Sequence, residues 1–458
     1  MEVFEMSKRT YKKGIEIGSV LIKPLGIATA VVLVAVIAAL VVFFVQSPAT
    51  DAQKVVSQAT AIPTAEPTPL NEATPVPAAT ATPEPTAEPT PEPTEVPAQR
   101  SATIRSLGEI AIETDLLTSA MDTETGTFDF SPMFEMISDC IGNADYTVGD
   151  VEGTLGGVSA VSGNGTTMCT PSALLTALKD CGVDMLTLAN DHILDGTQAE
   201  LNATMENITA AGMDYIGTAS SKEERETPVI KEINGINVGF LAYTESVNGN
   251  ESKLDSDAQQ YAVCTTSNSK SQEDVERLRS AGADVIIAYV SWGEMLNRSA
   301  TESQQTIAKM LTELKVDVII GYNPHTVQPV GWMSSSDGSH RTLVLCATGN
   351  MLSNQRTQYF DSGLIFQFTI QEQSDGSFAI ENPCYVPTYV WRYADTDRST
   401  TEAPVYQYRV LPIAQYVSET DARIPSGMDN SEYEYMSRVL SQIQAVMDAS
   451  GVATMISE

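Results

Sequence analysis

Polar side chains that could bind a metal ion or transfer a proton follow several apolar segments of this sequence. They form a Gly-Glu pair at 108–109, a Gly-Asp-Val-Glu run at 149–152, an Asn-Asp-His run at 190–192 and a Gly-Tyr-Asn-Pro-His run at 321–325. Carboxylate, amide and imidazole groups are ligands of divalent cations, which activate water or polarise a phosphoryl or carbonyl group. These residue types therefore indicate metal-assisted hydrolysis or group transfer.

The elements around these runs predict that the runs meet in space. From residue 101 onward, short apolar segments alternate with helix-like segments, which is the pattern of an α/β sheet covered by helices. In such sheets ligands bind beyond the carboxyl ends of the strands, so we expect one cleft at that edge. The residues predicted to line this cleft are Glu109, Asp150, Glu152, Asn190, Asp191, His192, Ser291, Trp292, Asn323, His325 and Asn350.

Each of these residues also has a purely structural interpretation. Asn and Asp that follow a strand often form a turn and cap the next helix. For the Asp-Gly-Thr run at 195–197, a turn and a helix cap are a sufficient explanation. The hypothesis of a functional cleft therefore depends on the whole set of strand ends and not on any single residue.

The predicted strands and helices set the fold class. Several strands in the second half have no helix between them, which favours two packed sheets between two helical layers over a doubly wound sheet. The Asn-Gly pair at 234–235 predicts a hairpin turn. Strands are expected at 103–107, 145–148, 184–188, 229–233, 238–243, 285–290, 318–320, 342–347 and 364–370, and helices at 132–140, 171–181, 197–211, 271–281, 302–314 and 417–447.

A membrane segment is predicted before the domain. Residues 25–45 carry no charge and are rich in Val, Ala, Leu and Ile, and as one helix they would cross the ~30 Å hydrocarbon core. The basic residues at positions 8, 9, 12, 13 and 23 predict a cytoplasmic N-terminus and export of everything that follows. We expect a single-pass anchor in the plasma membrane, and a cleaved signal peptide is the alternative interpretation.

A stalk is predicted between the membrane and the domain. Residues 46–100 are dominated by Pro, Thr, Ala and Glu, which cannot form a core, and closely spaced prolines favour an extended, disordered chain. We expect a spacer that carries the domain away from the membrane. An unstructured linker of no particular length would have the same topology.

The charge excludes one class of partner. The chain has 59 acidic and 26 basic residues, a formal net charge of −33, so we expect no binding to nucleic acid. An anionic polymer would need a bridging cation or a cluster among Arg277, Arg279, Arg298, Arg341 and Arg356. The six cysteines include no C-x-x-C pair, and free thiols and one or two disulfides both stay open.

The spaced motifs resemble the CapA family of capsule and poly-γ-glutamate biosynthesis proteins, which has a metallophosphatase-like fold. The Gly-Asp of that family is matched by the Gly-Glu pair at 108–109, with Glu in place of Asp. Its Asn-Leu-Glu is matched by Asp-Val-Glu at 150–152, and its Ala-Asn-Asn-His-x-x-Asp by the run at 189–195.

Three later motifs continue the resemblance in the same order. The His-Trp-Gly of the family appears as Ser-Trp-Gly at 291–293, and its Gly-His-His-Pro-His as Gly-Tyr-Asn-Pro-His at 321–325. Its Leu-Gly-Asn-Phe stretch is matched at 348–355. The resemblance covers about 101–370 and implies an α/β fold, a metallophosphatase-like four-layer αββα sandwich.

The resemblance also implies a divalent metal, Mn, Zn or Mg. Carried over position by position, it gives metal-binding roles to Glu109, Glu152, Asn190, His192 and His325. Catalytic roles are expected for three of these, Glu152, His192 and His325, with Glu152 and His192 in acid–base or ligand roles.

Two positions depart from the family in a way that weakens a metal site. Ser291 and Asn323 stand where imidazoles would be, and their side chains are much weaker ligands for zinc or manganese than neutral histidine. We therefore expect no high-affinity centre with two metal ions. A single, weaker site of harder oxygen ligands with His325 stays open.

Two functions follow as hypotheses. The first is a membrane-anchored enzyme of capsule or poly-γ-glutamate-type polymer biosynthesis, a metal-assisted hydrolase or transferase that meets a surface polymer or its biosynthetic membrane machinery. The second is a non-catalytic descendant that binds polymer or a partner through a degenerate metal site, and fold alone does not decide between them.

We divide the chain into a cytoplasmic N-terminus at 1–24, a transmembrane helix at 25–45, a stalk at 46–100, a CapA-like extracytoplasmic domain at 101–415 and a helical tail at 416–458.

Overall fold

The computed structural model of this chain describes residues 99–156, 162–163, 167–400, 404–417 and 425–457. The membrane segment predicted at 25–45 and residues 46–98 of the predicted stalk lie outside these ranges. Within the ranges, no helix combines the length and the apolar character that crossing a membrane requires.

The described residues form eighteen strands and ten α-helices, numbered here in chain order. The strands are β1 (Ser101–Ile110), β2 (Tyr146–Val151), β3 (Thr154–Gly156), β4 (Ser162–Gly163), β5 (Met168–Pro171), β6 (Met185–Thr187), β7 (Asp214–Ile216), β8 (Val229–Ile233), β9 (Ile236–Thr244), β10 (Val285–Ser291), β11 (Val318–Tyr322), β12 (Val330–Ser334), β13 (Arg341–Leu345), β14 (Asn350–Leu352), β15 (Ser362–Glu372), β16 (Phe378–Ala394), β17 (Tyr406–Pro412) and β18 (Thr454–Met455). The helices are α1 (Thr114–Ala120), α2 (Ser131–Phe134), α3 (Ser138–Gly142), α4 (Ala173–Asp180), α5 (Gln198–Ala210), α6 (Lys222–Glu226), α7 (Asn268–Ser280), α8 (Glu302–Glu313), α9 (Ile413–Tyr416) and α10 (Asn430–Met447).

Two sheets carry the fold, and each contains a parallel block. The larger sheet runs β17-β16-β15-β1-β2-β6-β7, with β14 beside β1 and β18 beside β16. Its strands β1, β2, β6 and β7 are parallel, whereas β15, β16 and β17 are antiparallel. The second sheet runs β12-β13-β11-β10-β9-β8, and its strands β9, β10, β11 and β13 are parallel. A small sheet of β3, β5 and β4 lies apart from both.

The hydrophobic clusters show the order of the layers. One cluster contains residues of both sheets, such as Ile104 of β1 and Phe240 of β9, so the two sheets pack face to face. A second cluster joins the other face of the larger sheet to α4 and α5, and a third joins the second sheet to α7 and α8. The α/β sandwich expected from the sequence is confirmed, and its layers are helix, sheet, sheet, helix.

Local sequence explains why the helices and the hairpin form. Thr197 caps α5 through the backbone N–H of Glu200, whose carboxylate accepts the N–H of Thr197 in return. The predicted hairpin joins β8 to β9, and Asn234 and Gly235 have φ of 51° and 78° in its turn.

Some predicted elements differ from the observed ones. The helix expected at 132–140 is two short helices, because the N–H of Ile137 bonds to the carbonyl of Phe134 three residues back and interrupts the α-helical pattern. The tail helix begins only at Asn430, and its buried residues join the core between the sheets. No disulfide joins any of the six cysteines, all of which lie within the described residues, so the disulfide alternative is wrong.

A bulge in β1 aims Glu109 at the edge of the sheet. Ser106 pairs with Val148 but Glu109 pairs with Asp150, so two residues of β1 face a single residue of β2. Gly108 lies in this bulge, where an added Cβ would be 2.6 Å from the carbonyl oxygen of Gly349. Only glycine allows this approach of the two backbones.

We predict that Gly108→Ala lowers the free energy of unfolding by about 1–3 kcal/mol, because the new methyl group collides with backbone atoms that cannot move aside. Urea unfolding measures the loss. The matched control is Gly331→Ala, where a Cβ meets nothing within 4 Å, and we expect a change of no more than about 0.5 kcal/mol. Equal losses in the two variants would contradict the role of the bulge.

Candidate functional site

Strands of both sheets end at the edge where the candidate residues lie. Glu109 of β1 pairs in register with Asp150 of β2 on one side and with Asn350 of β14 on the other. In the second sheet, Ser291 ends β10 opposite Tyr322, the last residue of β11. The parallel strands therefore deliver their carboxyl ends to one place, as the sequence predicts.

Three side chains form a buried cluster at this edge. Glu109, Glu152 and His325 each offer one ligand atom, and these atoms all lie within 4.8 Å of one another. Nδ1 of His325 lies 3.3 Å from Oε2 of Glu109, and its Nε2 lies 3.4 Å from Oε1 of Glu152. None of the three side chains is more than 5% exposed. In the part of the chain that the structure describes, this is the one group of His, Cys, Asp or Glu with that geometry.

Burial and mutual repulsion shift the acid–base properties of the cluster. Burial raises the pKa of Glu109 and of Glu152 to about 7 each, although the nearby His325 opposes the change. Burial also raises the pKa of Asp150 to about 8. Burial alone would lower the pKa of His325, but Glu109 and Glu152 raise it to about 9. The site therefore holds buried acids whose charged forms a cation would stabilise.

Two carboxylate oxygens at the cluster have no hydrogen-bond partner among the described residues. They are Oε1 of Glu109 and Oδ2 of Asp150, and both are buried. An unpaired buried polar atom is costly, so such atoms call for a ligand or ordered water. The unpaired oxygens and the imidazole are donors that suit a divalent cation.

The loop after β11 is held in a strained conformation. Asn323 and His325 have φ of 90° and 56°, a region that residues other than glycine seldom adopt. The backbone N–H of Asn323 donates to Oε2 of Glu109 at 2.9 Å. The Asn323 amide donates to the carbonyls of Trp292 and Gly293 at 3.2 and 3.1 Å. Asn323 therefore joins two strand-end loops.

His192 lies beside the cluster and is held by a carboxylate. Its Nδ1 is 2.7 Å from Oδ2 of Asp195, which also accepts the N–H of Met168 at 2.8 Å. Burial lowers the pKa of His192, but the bond to Asp195 and the charge of Glu152 raise it to about 9. The sequence interpretation of 195–197 is thus correct only for Thr197, which caps α5. Asp195 instead orients a histidine.

Three further residues predicted to line the cleft use side-chain atoms in hydrogen bonds to other parts of the chain. The Asn190 amide donates to the carbonyl of Val151 at 2.9 Å. Asp191 accepts the amide of Asn248 at 3.0 Å. The Trp292 ring packs in the core beneath α8 and donates to the carbonyl of Cys346 at 2.8 Å, so only its backbone carbonyl meets the site.

Two residues near the site have no signal in a single sequence. Lys253 donates to the carbonyls of Leu194 and Asp195 at 2.9 and 2.6 Å, and so fastens the loop that carries His192. Phe360 packs against His325 with 5.6 Å between ring centroids. Lys253 ends a short 3₁₀ helix and Phe360 lies in a turn, and both are outside every motif, where residue type alone predicts nothing.

Comparison with known proteins places the chain in a family. The family described as "Bacterial capsule synthesis protein PGA_cap" matches residues 103–355, more than half of the chain, and the chain belongs to this family. The resemblance to CapA proteins seen in the sequence is confirmed.

Two curated relatives are similar over part of their length. The capsule biosynthesis protein CapA of Bacillus anthracis is 23% identical over 41% of this chain and 45% of its own length. The PGA biosynthesis protein CapA of Bacillus subtilis (strain 168) is 21% identical over 44% of this chain and 51% of its own length. The chain thus spans about half the length of the curated relatives that it matches.

Two solved structures show weak similarity. The NAD nucleotidase NadN of Haemophilus influenzae is 11% identical, with a TM-score of 0.41 over 78% of this chain and 64% of its own. The calcineurin-like phosphoesterase YfkN of Bacillus subtilis is 14% identical, with a TM-score of 0.38 over 76% of this chain and 97% of its own. Membership of the family depends on the sequence match alone.

We predict that substitutions at Asn323 separate its side-chain bonds from its backbone strain. Asn323→Gly removes the amide bonds and should lower the free energy of unfolding by about 1–2 kcal/mol. Asn323→Ala removes the same bonds and also places a Cβ at a φ of 90°, so we expect a further loss of about 1 kcal/mol. Urea unfolding measures both, and an alanine variant as stable as the glycine variant would show that the loop is unstrained.

Proposed function

We propose that this chain takes part in the synthesis of a surface polymer of the capsule or poly-γ-glutamate type, as a metal-assisted hydrolase or transferase. Membership of the capsule synthesis family supports the biological role. The buried cluster of Glu109, Glu152 and His325 is the observation that carries the chemical role.

The donor set favours one divalent cation. Glu109, Glu152 and His325 would hold it, and Asp150 has a free buried oxygen beside them. Two carboxylates with one imidazole suit Mn, Zn or Mg, and the excess of oxygen favours the harder ions. When bound, such a cation supplies positive charge to a phosphoryl or carbonyl oxygen and acidity to a water molecule.

His192 is our candidate for moving a proton during the reaction. Asp195 occupies its Nδ1, so Nε2 is the nitrogen left to give or take a proton. The His192 side chain is 16% exposed, which makes it more accessible to substrate than the buried His325. A carboxylate that orients a histidine is a common arrangement in acid–base catalysis.

Five arginines that could have met an anionic polymer have separate partners. Arg279 pairs with Asp317, and Arg277 pairs with Asp274. The other three, Arg298, Arg341 and Arg356, each lie over the ring of a different aromatic residue. Because each guanidinium is engaged by a contact of this kind, we favour a bridging cation as the group that would bind a polyanion.

Anchoring in the plasma membrane is part of the same proposal. The apolar segment at 25–45 and the basic residues before it would leave the N-terminus in the cytoplasm and the domain outside. The proline-rich stalk would then place the site near the surface polymer or the membrane machinery that makes it.

A non-catalytic function in polymer or partner binding is the second candidate. Asn323 uses its amide group to hold Trp292 and Gly293, and Ser291 offers no imidazole. Without imidazole ligands at these two positions, the site would hold at most one cation, whereas enzymes that clamp a phosphoryl group often use two.

We predict that the purified domain binds one Mn²⁺ per chain. Glu152→Gln and His325→Ala each alter a ligand and should weaken Mn²⁺ binding by ~10–100-fold or more, since loss of a residue that only hydrogen-bonds to a ligand already has an effect of that size. Isothermal titration calorimetry measures the stoichiometry and the affinity. His340→Ala and Glu381→Gln are matched controls, because His340 bonds to the carbonyl of Val316 outside the cluster and Glu381 is exposed. Unchanged Mn²⁺ affinity in both site variants would end the proposal of a metal centre.

In cells that make the polymer, we predict that Glu152→Gln reduces surface polymer to the level of a strain lacking the gene, because the cation site is lost. Surface polymer is compared between strains whose membrane fractions contain equal amounts of this protein, and His340→Ala is the control variant. Normal polymer with a chain that binds no Mn²⁺ would favour the non-catalytic function, and recovery of the chain from the medium would contradict the anchor.

A further inference from the structure

His325 faces two carboxylates at almost equal distances. Its Nδ1 lies 3.3 Å from Glu109 and its Nε2 lies 3.4 Å from Glu152. A neutral imidazole carries its hydrogen on one nitrogen, and the other nitrogen keeps the lone pair that can bind a cation. The two carboxylates alone therefore leave open which side of the ring can act as a ligand.

Asn350 removes this ambiguity. Its Oδ1 lies 2.9 Å from Nδ1 of His325, closer than either carboxylate. The Asn350 amide is oriented from its other side, because Nδ2 donates to the carbonyl oxygen of Phe360 at 2.8 Å, and a carbonyl oxygen can only accept. The atom that faces His325 is therefore an acceptor, so Nδ1 must supply the hydrogen.

We infer that Asn350 is a positioning residue that selects the Nδ1–H tautomer of His325 and directs the lone pair of Nε2 toward Glu152. Binding of a cation by that lone pair rests on the proposed function, whereas the tautomer of His325 is a property of the metal-free chain. A hydrogen bond at the second ring nitrogen commonly fixes the tautomer of a histidine ligand.

The surroundings hold Asn350 in this role. The residue is fully buried in β14, where it pairs in register with Glu109 of β1. The Phe360 ring packs on His325, so the residue that anchors the amide also supports the imidazole. Oε2 of Glu109 accepts the N–H of Asn323, and its Oε1 has no hydrogen-bond partner among the described residues.

The chain contains only three histidines, so one experiment shows every tautomer. Long-range ¹H–¹⁵N spectra of histidine-labelled, metal-free protein are recorded above the His325 pKa of about 9, where the ring is neutral. We expect Nδ1–H for His325 and, as an internal reference, Nε2–H for His340, whose Nε2 lies 2.9 Å from the carbonyl of Val316. An Nε2–H signal for His325 in the unmodified protein overturns the inference, whichever variants fold.

Two substitutions separate the acceptor from the rest of the residue. Asn350→Leu removes the acceptor at similar volume, and we expect His325 signals of mixed tautomers and Mn²⁺ affinity lower by about 10–100-fold. Asn350→Asp keeps an oxygen toward His325 and should keep Nδ1–H. The matched control is Asn207→Leu, since the Asn207 amide also donates to a main-chain carbonyl, that of Leu155 at 2.8 Å, and should leave both measurements unchanged.

The outcomes distinguish this inference from the proposed function. Pure Nδ1–H in Asn350→Leu would overturn the role of Asn350. Nδ1–H in the unmodified protein and mixed tautomers in Asn350→Leu support it, even if no form of the protein binds Mn²⁺. That last result would end the metal centre and leave the positioning role of Asn350 in place.

Discussion

The contact of Glu109 and Glu152 with His325 is the interaction on which the rest of the site depends. Two carboxylates buried this close repel each other, and burial makes ionisation of each more costly. His325 offsets part of this cost by lying between them. The sandwich must supply the remainder, because nothing in the local sequence would otherwise keep two acids in a buried pocket. A site of this kind persists only where the surrounding packing over-determines it.

The surrounding structure shows how this is achieved. The β1 bulge turns Glu109 toward the edge, and Gly108 allows β14 to approach closely enough to bring Asn350 beside it. On the opposite side, the strained loop of Asn323 and His325 is tied to the end of β10 through two carbonyls. Both sheets thus contribute a backbone feature that is unfavourable by itself, and each feature serves to place one member of the cluster.

The sequence predicts the edge but not the contacts across it. Alternating apolar segments locate β1, β2, β6, β10 and β11, and their ends are where the motifs lie. The strand predicted at 364–370 is β15, but the outer antiparallel strands β16 and β17 are missed. β16 contains Pro383 and Pro387, which argue against a strand. The observed strand accommodates Pro383 through an irregular register and a positive φ at Asn382, whereas Pro387 pairs with Leu364 in regular register. Partners such as Lys253 and Phe360 come from short connecting segments, whose positions only the folded chain determines.

The two departures from the family motifs are best understood together. Glu109 is one methylene longer than the aspartate of the motif, and its carboxylate reaches the backbone N–H of Asn323. Asn323 itself stands where the family has an imidazole, and its amide holds the loop of Trp292 and Gly293. The longer acid and the shorter polar residue therefore form one structural link between the sheets. Because Asn323 takes the place of an imidazole in the motif, the site has one nitrogen donor fewer. Glu109, Glu152 and His325 nevertheless remain close together. Under the proposed function, such a site would hold one cation, and the two histidines beside or within it are each oriented by a polar partner, His192 by Asp195 and His325 by Asn350.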